Sequence, residues 1–368
     1  MVRSHRRTPA PVAARRRPRS RPTRGGRVLV AAALGLLALS SPAVARPDPG
    51  VAPGPFSRPG PGITSGTGRE VAEPAYISLL FSRSNWQAVS GADCSIVAPG
   101  ARTLEQNAQD LADRGLSATA LVVINRTAAA DRTCFRGYTS QASWADLAHL
   151  RDSYGWSANS QGTAYRDMTV MTSDAERFAE SAASLAPLAA HGFPRAWGSF
   201  AFANNKQESL SQAFVGRYFG FVRRYDSLRN SRAEATAAPY LMRTWSLNGG
   251  RCHNRALACY DMPVLNDRRS ANVDLVRTYL NPEPGQWSVL QAYRLVEGTH
   301  GVIGDTYAWD CSSADWRDRW TSQPEISCRN SYLEMVDGRN LEAVVTDPTT
   351  IALAWGRVPV DYLGWPRP

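Results

Sequence analysis

Side chains that could hold a metal ion are few and widely spaced in this sequence. The chain has five histidines, His5, His149, His191, His253 and His300. None belongs to a His-x-x-x-His or Asp-x-His pair, the spacings with which one helix or strand presents two metal ligands. A metal site at the adjacent Cys252 and His253 is the main alternative, but no second ligand pair lies close to them in the sequence. The sequence therefore predicts no metal site and no other cofactor.

Carboxylates are the next candidates for hydrolytic chemistry. Four of them stand near predicted strand ends: Asp167, Glu208, Asp305 and Asp310. A glycosidase needs two carboxylates about 5 to 10 Å apart, but spacing alone does not pair these four, and ordinary surface charge explains them as well. A serine nucleophile is not indicated, since Ser160-Gln161-Gly162 lacks the first glycine of a Gly-x-Ser-x-Gly turn.

Aromatic residues give the positive signal. The chain has 11 tryptophans. Several fall in predicted loops or at strand ends: Trp86, Trp156, Trp197, Trp245, Trp309 and Trp316. Flat aromatic faces stack on sugar rings, and neighbouring amides and guanidinium groups bond to sugar hydroxyls. Core packing is the alternative for any single tryptophan. The pattern predicts a polar and aromatic groove that also includes Gln161, Tyr165, Asn204, Asn205 and Tyr293.

These residues are positioned by alternating strand and helix patterns. Short apolar runs predict strands at 75–81, 118–124, 197–202, 240–245, 287–293 and 341–346. Helical periods predict helices at 103–114, 141–154, 173–191, 210–224, 271–280 and 348–355. Such alternation predicts parallel strands with helical crossovers. We expect an α/β barrel of seven or so mostly parallel strands, with helices outside and the site at the carboxyl ends of the strands.

The amino-terminal region predicts export. Ten arginines precede position 28, an apolar run covers Val28 to Leu39, and Ala43-Val44-Ala45 follows, which is the layout of a signal peptide. The formal net charge is +10, but cleavage after Ala45 leaves 32 basic and 32 acidic residues. A neutral mature chain gives no electrostatic case for a nucleic-acid partner. The apolar run is shorter than the ~20 residues of a membrane span, and we expect no transmembrane segment in the mature chain.

The remaining sequence divides into a linker and one large domain. Residues 46–70 contain 12 prolines and glycines among 25 residues, which predicts a linker. We therefore expect a signal peptide at 1–45, the linker at 46–70 and the barrel at 71–368. The six cysteines predict three disulfides in an oxidising compartment. Because pairing near neighbours closes the shortest loops, we expect the pairs Cys94 with Cys134, Cys252 with Cys259 and Cys311 with Cys328.

Order and spacing across residues 74–356 resemble the polysaccharide deacetylases of the NodB-homology type. The first strand ends in Leu80-Phe81-Ser82-Arg83, where family members have Phe-Asp-Asp. Ser160-Gln161, followed by Tyr165, takes the place of the family's Ser-His-Ser/Thr-x-x-His segment. Three further stretches resemble family strands: 240–248, with its Arg243-Thr244 pair, 285–294, which ends near Tyr293, and 340–346.

The resemblance implies a divalent metal held by one Asp and two His, a second Asp as base and a late His as acid. In this chain Arg83, Gln161 and Tyr165 stand at the metal positions, Ser82 at the base position and Tyr293 at the acid position. None of these side chains is anionic, and Arg83 would repel a cation. The resemblance therefore predicts a barrel without the family's metal and catalytic residues.

We interpret the chain as a secreted NodB-like barrel that binds extracellular or cell-wall polysaccharide, including peptidoglycan glycan, without metal-dependent deacetylation. The expected ligand groove contains Ser82, Arg83, Gln161, Tyr165, Trp197, Asn204, Arg243, Trp245 and Tyr293. One alternative is a divergent but active carbohydrate deacetylase or hydrolase. The other is a structural barrel that binds a protein partner.

Overall fold

The fold is described from a computed structural model, which covers residues 73–82, 102–127, 142–225, 229–237, 241–247, 279–301, 309–312, 320–321 and 326–361. These residues lie in a compact unit, Arg69–Pro368. The predicted signal peptide and linker lie outside the described residues. None of the helices in the described ranges has the length and apolar character needed to cross a bilayer.

The described strands and helices follow the chain in an alternating order. The strands are β1 (Tyr76–Phe81), β2 (Thr119–Val122), β3 (Ser157–Ser160), β4 (Ser199–Phe200), β5 (Phe221–Tyr225), β6 (Asn230–Ser231), β7 (Leu241–Ser246), β8 (Gln286–Ala292), β9 (Arg294–Val296), β10 (Thr299–His300), β11 (Trp309–Asp310), β12 (Trp320–Thr321), β13 (Ile326–Cys328) and β14 (Val344–Val345). The helices are α1 (Leu104–Ala112), α2 (Trp144–Tyr154), α3 (Asp174–Glu180), α4 (Leu185–Ala190), α5 (Ser209–Val215), α6 (Arg232–Ala237), α7 (Arg329–Asp337) and α8 (Pro348–Ala354).

Seven parallel strands close a barrel. Their order is β1, β2, β3, β4, β5, β7 and β8, and β8 pairs with β1 along six residues to complete the ring. The short strand β14 pairs with the first two residues of β1, while β2 pairs with its last two. The predicted NodB-like barrel of seven or so mostly parallel strands, with helices outside, is confirmed.

Aromatic side chains fill the amino-terminal end of the barrel. Trp287 at the start of β8 lies 4.8 Å from Phe221 and 5.8 Å from Trp355, measured between ring centroids. The Trp287 indole also donates to Ser78 Oγ at 3.0 Å. This layer packs the end of the barrel opposite the carboxyl ends of the strands, where the site is predicted.

A small lobe follows β8. Strand β9 pairs with β13, and β10, β11 and β12 form an antiparallel sheet. Its core contains Val296, Trp309 and Ile326 together with a disulfide between Cys311 and Cys328. That predicted disulfide is confirmed, and the pairs Cys94 with Cys134 and Cys252 with Cys259 lie outside the described residues.

Two predicted helices are corrected by the structure. The segment 173–191 is not one helix: α3 ends at Glu180, a 3-10 turn covers Ala182–Ser184, and α4 follows. Pro187 explains the break, because its ring conflicts with the carbonyl four residues earlier and it has no N–H to donate. The segment 210–224 contains α5 and then the missed strand β5, which are separated by a turn that ends at Gly220.

Other elements agree with their predictions at different lengths. The predicted helices 103–114, 141–154 and 348–355 appear as α1, α2 and α8, and the Thr103 side chain caps α1. Within the strands predicted at 197–202 and 341–346, the structure has only two residues each in strand conformation, β4 and β14. Of the helix predicted at 271–280, only Tyr279 and Leu280 are described.

Candidate functional site

Two of the family's site positions meet at the carboxyl ends of β1 and β3. Ser82 follows β1 and Gln161 follows β3, and both are buried. The Gln161 side-chain amide donates to Ser82 Oγ at 3.0 Å, and the Ser82 hydroxyl lies 3.3 Å from Gln161 Oε1. Their backbone N–H groups continue the ladders, with Ser82 bonded to Ala292 O and Gln161 to Val122 O. The two side chains therefore form a neutral pair inside the mouth of the barrel.

This pair does not fit the divalent metal that the family resemblance implies. Metal sites of this kind use carboxylate and imidazole ligands, whereas a hydroxyl and an amide carry no negative charge. The amide of Gln161 is also engaged with Ser82. Among the described residues, no three His, Cys, Asp or Glu side chains are grouped as a metal site requires. Arg83, which the resemblance also places at a metal position, lies outside the described residues.

The barrel interior below this pair is unusually polar. Strand alternation and register place four hydroxyl side chains on the inner face, those of Ser78, Ser157, Thr244 and Ser246. Hydrogen bonds there join Thr119 to Ser157 at 2.7 Å and Asn159 to Ser199 at 2.6 Å. Arg223 of β5 is fully buried there and donates to Gln291 Oε1 and to Phe202 O. Polar groups inside a barrel require such hydrogen bonds to offset the loss of water.

Strained backbone marks the two loops that follow β3 and β4. Tyr165, Asn204 and Asn205 have φ angles of 61°, 50° and 55°, which are unusual for residues other than glycine. The Tyr165 hydroxyl bonds to Asn204 Oδ1 at 3.2 Å and accepts from the Asn204 N–H at 3.0 Å. Strain of this kind persists only where surrounding contacts enforce it, and it is common at functional sites.

A second bridge joins the same two loops. Lys206 Nζ lies 2.7 Å from Asp167 Oδ2, and the other oxygen of Asp167 accepts from Thr169. Burial acts to raise the pKa of Asp167, but the Lys206 ammonium and the Thr169 bonds outweigh it and hold the pKa below its ordinary value. Asp167 is therefore an ionised partner of Lys206 and is not a proton donor near neutral pH.

A buried carboxylate lies beneath the loop that carries Tyr165. Glu180, at the end of α3, is 3% exposed and accepts from the N–H groups of Ala164 and Arg166 at 3.0 to 3.3 Å. Burial raises the pKa of Glu180, against the opposing effect of these N–H bonds and of the Arg166 charge. Gly162 makes this approach possible, because its φ is +93° and a Cβ there would collide with the Glu180 carboxylate.

The structure separates the predicted groove residues into three groups. Ser82 and Gln161 meet at the mouth, and Tyr293 directly follows β8 beside Ala292, whose carbonyl accepts from Ser82. Tyr165 and Asn204 meet at the outer rim, where both are accessible to solvent.

The third group consists of Trp197, Arg243 and Trp245, which lie away from the mouth. Trp197 is 1% exposed in the turn before β4. Arg243 and Trp245 share the outer face of β7, since Met242, Thr244 and Ser246 point inward. Arg243 donates to Glu234 at 2.9 Å, and Trp245, 3% exposed, packs against Tyr279. These three side chains therefore lie apart from the pair at the mouth, because each is engaged outside the barrel interior or in the core.

Each described carboxylate considered for glycosidase chemistry has a hydrogen-bonding partner of its own. Asp167 pairs with Lys206, Glu208 accepts from the Ser211 hydroxyl, and Asp310 accepts from Ser312 in the small lobe. Asp305 lies outside the described residues. His149 bonds to Glu105, His191 stacks on the tryptophan at position 144, and the His300 ring lies 4.6 Å from the ring of the tryptophan at position 309, tilted by 34°.

Sequence reasoning missed Glu180 and Arg223. Arg223 lies two residues after Phe221 and shares its inner face, so strand alternation would have identified it had the strand been recognised. Glu180 had no comparable signal, because it lies within a helix and its contacts are with backbone groups 14 to 16 residues earlier in the chain.

Comparison with known proteins identifies structural neighbours only. No protein-family model matches the sequence, and no curated protein matches it. A family 4 carbohydrate esterase from Streptomyces lividans shares 12% identity at a TM-score of 0.32, with 60% of this chain and 80% of that chain covered.

Two further solved structures cover more of the chain. The Xyl-CE4 domain of a multidomain xylanase from the hindgut metagenome of Trinervitermes trinervoides shares 9% identity over 79% of this chain and 95% of its own, with a TM-score of 0.39. A chitin deacetylase from Colletotrichum lindemuthianum shares 11% identity over 80% and 94%, with a TM-score of 0.38. The fold assignment rests on the strand pairing of this chain.

Proposed function

We propose that this chain is a secreted NodB-like barrel protein that binds extracellular or cell-wall polysaccharide and does not carry out metal-dependent deacetylation. The single observation that carries the proposal is the hydrogen-bonded pair of Ser82 and Gln161 at the mouth of the barrel. A neutral hydroxyl and amide stand where the resemblance implies catalytic and metal-binding side chains. Without a metal, no group at this pair lowers the pKa of a water molecule for attack on an acetamide.

Polysaccharide is the ligand class that best suits the rest of the opening. The rim combines a partly exposed aromatic ring, Tyr165, with the amide of Asn204 and the oppositely charged Asp167 and Lys206. Sugar rings offer an apolar face to aromatic side chains and hydroxyls to polar ones. The predicted mature chain has equal numbers of acidic and basic residues, which suits an uncharged polymer.

Zinc content and acetate release test the absence of deacetylase chemistry. The purified protein is dialysed against excess zinc, washed and measured by elemental analysis, and then incubated with acetylated chitooligosaccharides and peptidoglycan. We expect less than stoichiometric zinc and no chelator-sensitive acetate release. One equivalent of zinc together with acetate release that EDTA abolishes would support the divergent deacetylase instead.

Binding to insoluble glycans tests the second half of the proposal. The protein is sedimented with chitin, xylan and peptidoglycan, and a mature protein with a different fold and similar net charge serves as the control for nonspecific adsorption. We expect retention on at least one glycan and release by a soluble oligosaccharide of the same sugar. Sedimentation with none of them, at any protein concentration used, would refute glycan binding and favour a barrel that binds a protein partner.

A further inference from the structure

The loops after β3 and β4, residues 162–167 and 203–206, are joined into one unit by two side-chain bridges. These are the bonds between Tyr165 and Asn204 and between Asp167 and Lys206. We propose that this unit, the paired loops, is a preorganised sugar-binding platform in which the Tyr165 ring stacks on a pyranose and Glu180 acts as the positioning residue. The proposal rests on the proposed function and assigns it to a defined surface.

The position of Tyr165 in the paired loops favours contact with a ligand. Its hydroxyl is held by Asn204, so the ring is fixed at the rim while remaining partly exposed. A ring fixed before binding loses little conformational freedom when a sugar stacks on it, and this improves affinity. The charges of Asp167 and Lys206 cancel, which suits a neutral pyranose with hydroxyl groups better than an anionic one.

Glu180 determines the shape of the loop that carries this ring. Its carboxylate binds the N–H groups on both sides of Tyr165, those of Ala164 and Arg166, and the carbonyl of Glu180 accepts from the Thr163 N–H at 2.8 Å. These bonds hold Tyr165 in its left-handed backbone conformation, which costs energy for a residue with a Cβ. Removal of the carboxylate therefore releases the Tyr165 ring from its fixed orientation, although Glu180 itself is too buried to touch the sugar.

Amide hydrogen exchange tests the positioning role without any ligand. We expect Glu180→Ala to accelerate exchange in peptides covering 162–167 and, through the Tyr165 bridge, in those covering 203–206. Glu180→Gln keeps an oxygen acceptor for the two N–H groups and should restore most of the protection. Glu176→Ala is the matched control, since Glu176 lies on the same helix and also accepts backbone N–H groups, from Thr172 and Ser173, but has no bond to the paired loops.

Calorimetric titration with chitohexaose and xylohexaose tests the platform. We expect Tyr165→Ala and Glu180→Ala each to weaken binding by about tenfold, with no further loss in the double variant, because both act through the same ring. Glu176→Ala should bind as the wild type does.

The possible outcomes separate this inference from the proposed function. Wild-type binding that Tyr165→Ala leaves unchanged would overturn the platform while glycan binding stands. Independent, additive losses for Tyr165→Ala and Glu180→Ala, or unchanged exchange at 203–206 in Glu180→Ala, would remove Glu180 as the positioning residue. If the wild type binds neither hexasaccharide and no insoluble glycan, the platform and the proposed function both fail.

Discussion

The carboxylate of Asp110 joins α1 to the first residue of α7, Arg329, and to Arg102 just before α1, and its replacement by asparagine gives a sharp test of the packing. Arg329 binds it through two bonds, of 2.7 and 2.6 Å, and Arg102 adds a third at 2.7 Å. The Asp110 side chain is only 10% exposed. Asp110→Asn keeps the shape of the side chain but removes the charge that both guanidinium groups share.

The expected loss in the free energy of unfolding depends on the charges that remain around the two arginines after the substitution. Breaking one side of a buried ion pair costs roughly 3–5 kcal/mol, because the opposite charge is left uncompensated. Glu297 lies 3.2 Å from Arg102 and 3.9 Å from Arg329, so it still balances part of the positive charge. We therefore expect a decrease in the free energy of unfolding near the lower limit, about 3 kcal/mol at pH 7.

The same carboxylate gives the loss a defined pH dependence. Burial acts to raise the pKa of Asp110, but Arg329, with Arg102 and Arg114, outweighs it and holds the pKa below its ordinary value. The stabilisation is therefore fully present above the ordinary pKa of about 3.9 and is lost as the pH falls through the lower pKa of the folded state. The difference between wild type and Asp110→Asn should narrow below about pH 4.

Urea unfolding followed by tryptophan fluorescence, at pH 7, 5 and 3.5, measures both effects. Asp152→Asn is the matched control, because Asp152 also makes two bonds to one arginine, Arg151, but on the open surface, where such pairs contribute little. We expect no measurable change for the control. A loss smaller than about 0.5 kcal/mol for Asp110→Asn, or a loss of the same size at pH 7 and pH 3.5, would refute the reasoning.

Three further substitutions test other contacts. Gln161→Leu takes the amide away from the buried Ser82 hydroxyl and should cost about 1–3 kcal/mol in urea unfolding, whereas unchanged stability would contradict the importance of the pair. Cys311→Ser opens a loop of 17 residues in the small lobe and should lower stability by about 3 kcal/mol on the chain-entropy account; thermal unfolding that matches the wild type would contradict it. Gly198→Ala places a Cβ within 2.6 Å of the Thr349 backbone at the start of α8, so we expect a loss of about 1–3 kcal/mol and a lower melting temperature by circular dichroism.

Much of the barrel could be predicted because several elements have strong local signals. The strand β1 is a continuous apolar run, and α1 and α2 begin at capping residues, Thr103 and Ser143, whose side chains accept from the third helical N–H. These signals depend only on neighbouring residues. They place elements in order along the chain, and the preference of parallel strands for helical crossovers then gives the barrel.

The site was harder to predict because it depends on register between distant strands. Ser82 and Gln161 meet only because both strands end at the same level across β2, and nothing local to either residue determines that level. The prediction that Arg243 and Trp245 line the groove depends on the register of β7, and its pairing turns these two side chains outward. A change of one residue in register moves every side chain of a strand to the other face. A one-residue error in the predicted register therefore changes which side chains line the groove but leaves the fold unchanged.

Gln161 and Tyr165, which the resemblance places at metal positions, make contacts unlike those of metal ligands. Gln161 is bonded to Ser82, and Tyr165 bridges two loops through Asn204. A single substitution by histidine at either position would break one of these contacts, and one imidazole does not make a metal site. A metal site at these positions would therefore require several simultaneous substitutions. Interaction with a sugar at the rim requires none of them, because the ring of Tyr165 and the bridge between Asp167 and Lys206 are already in place.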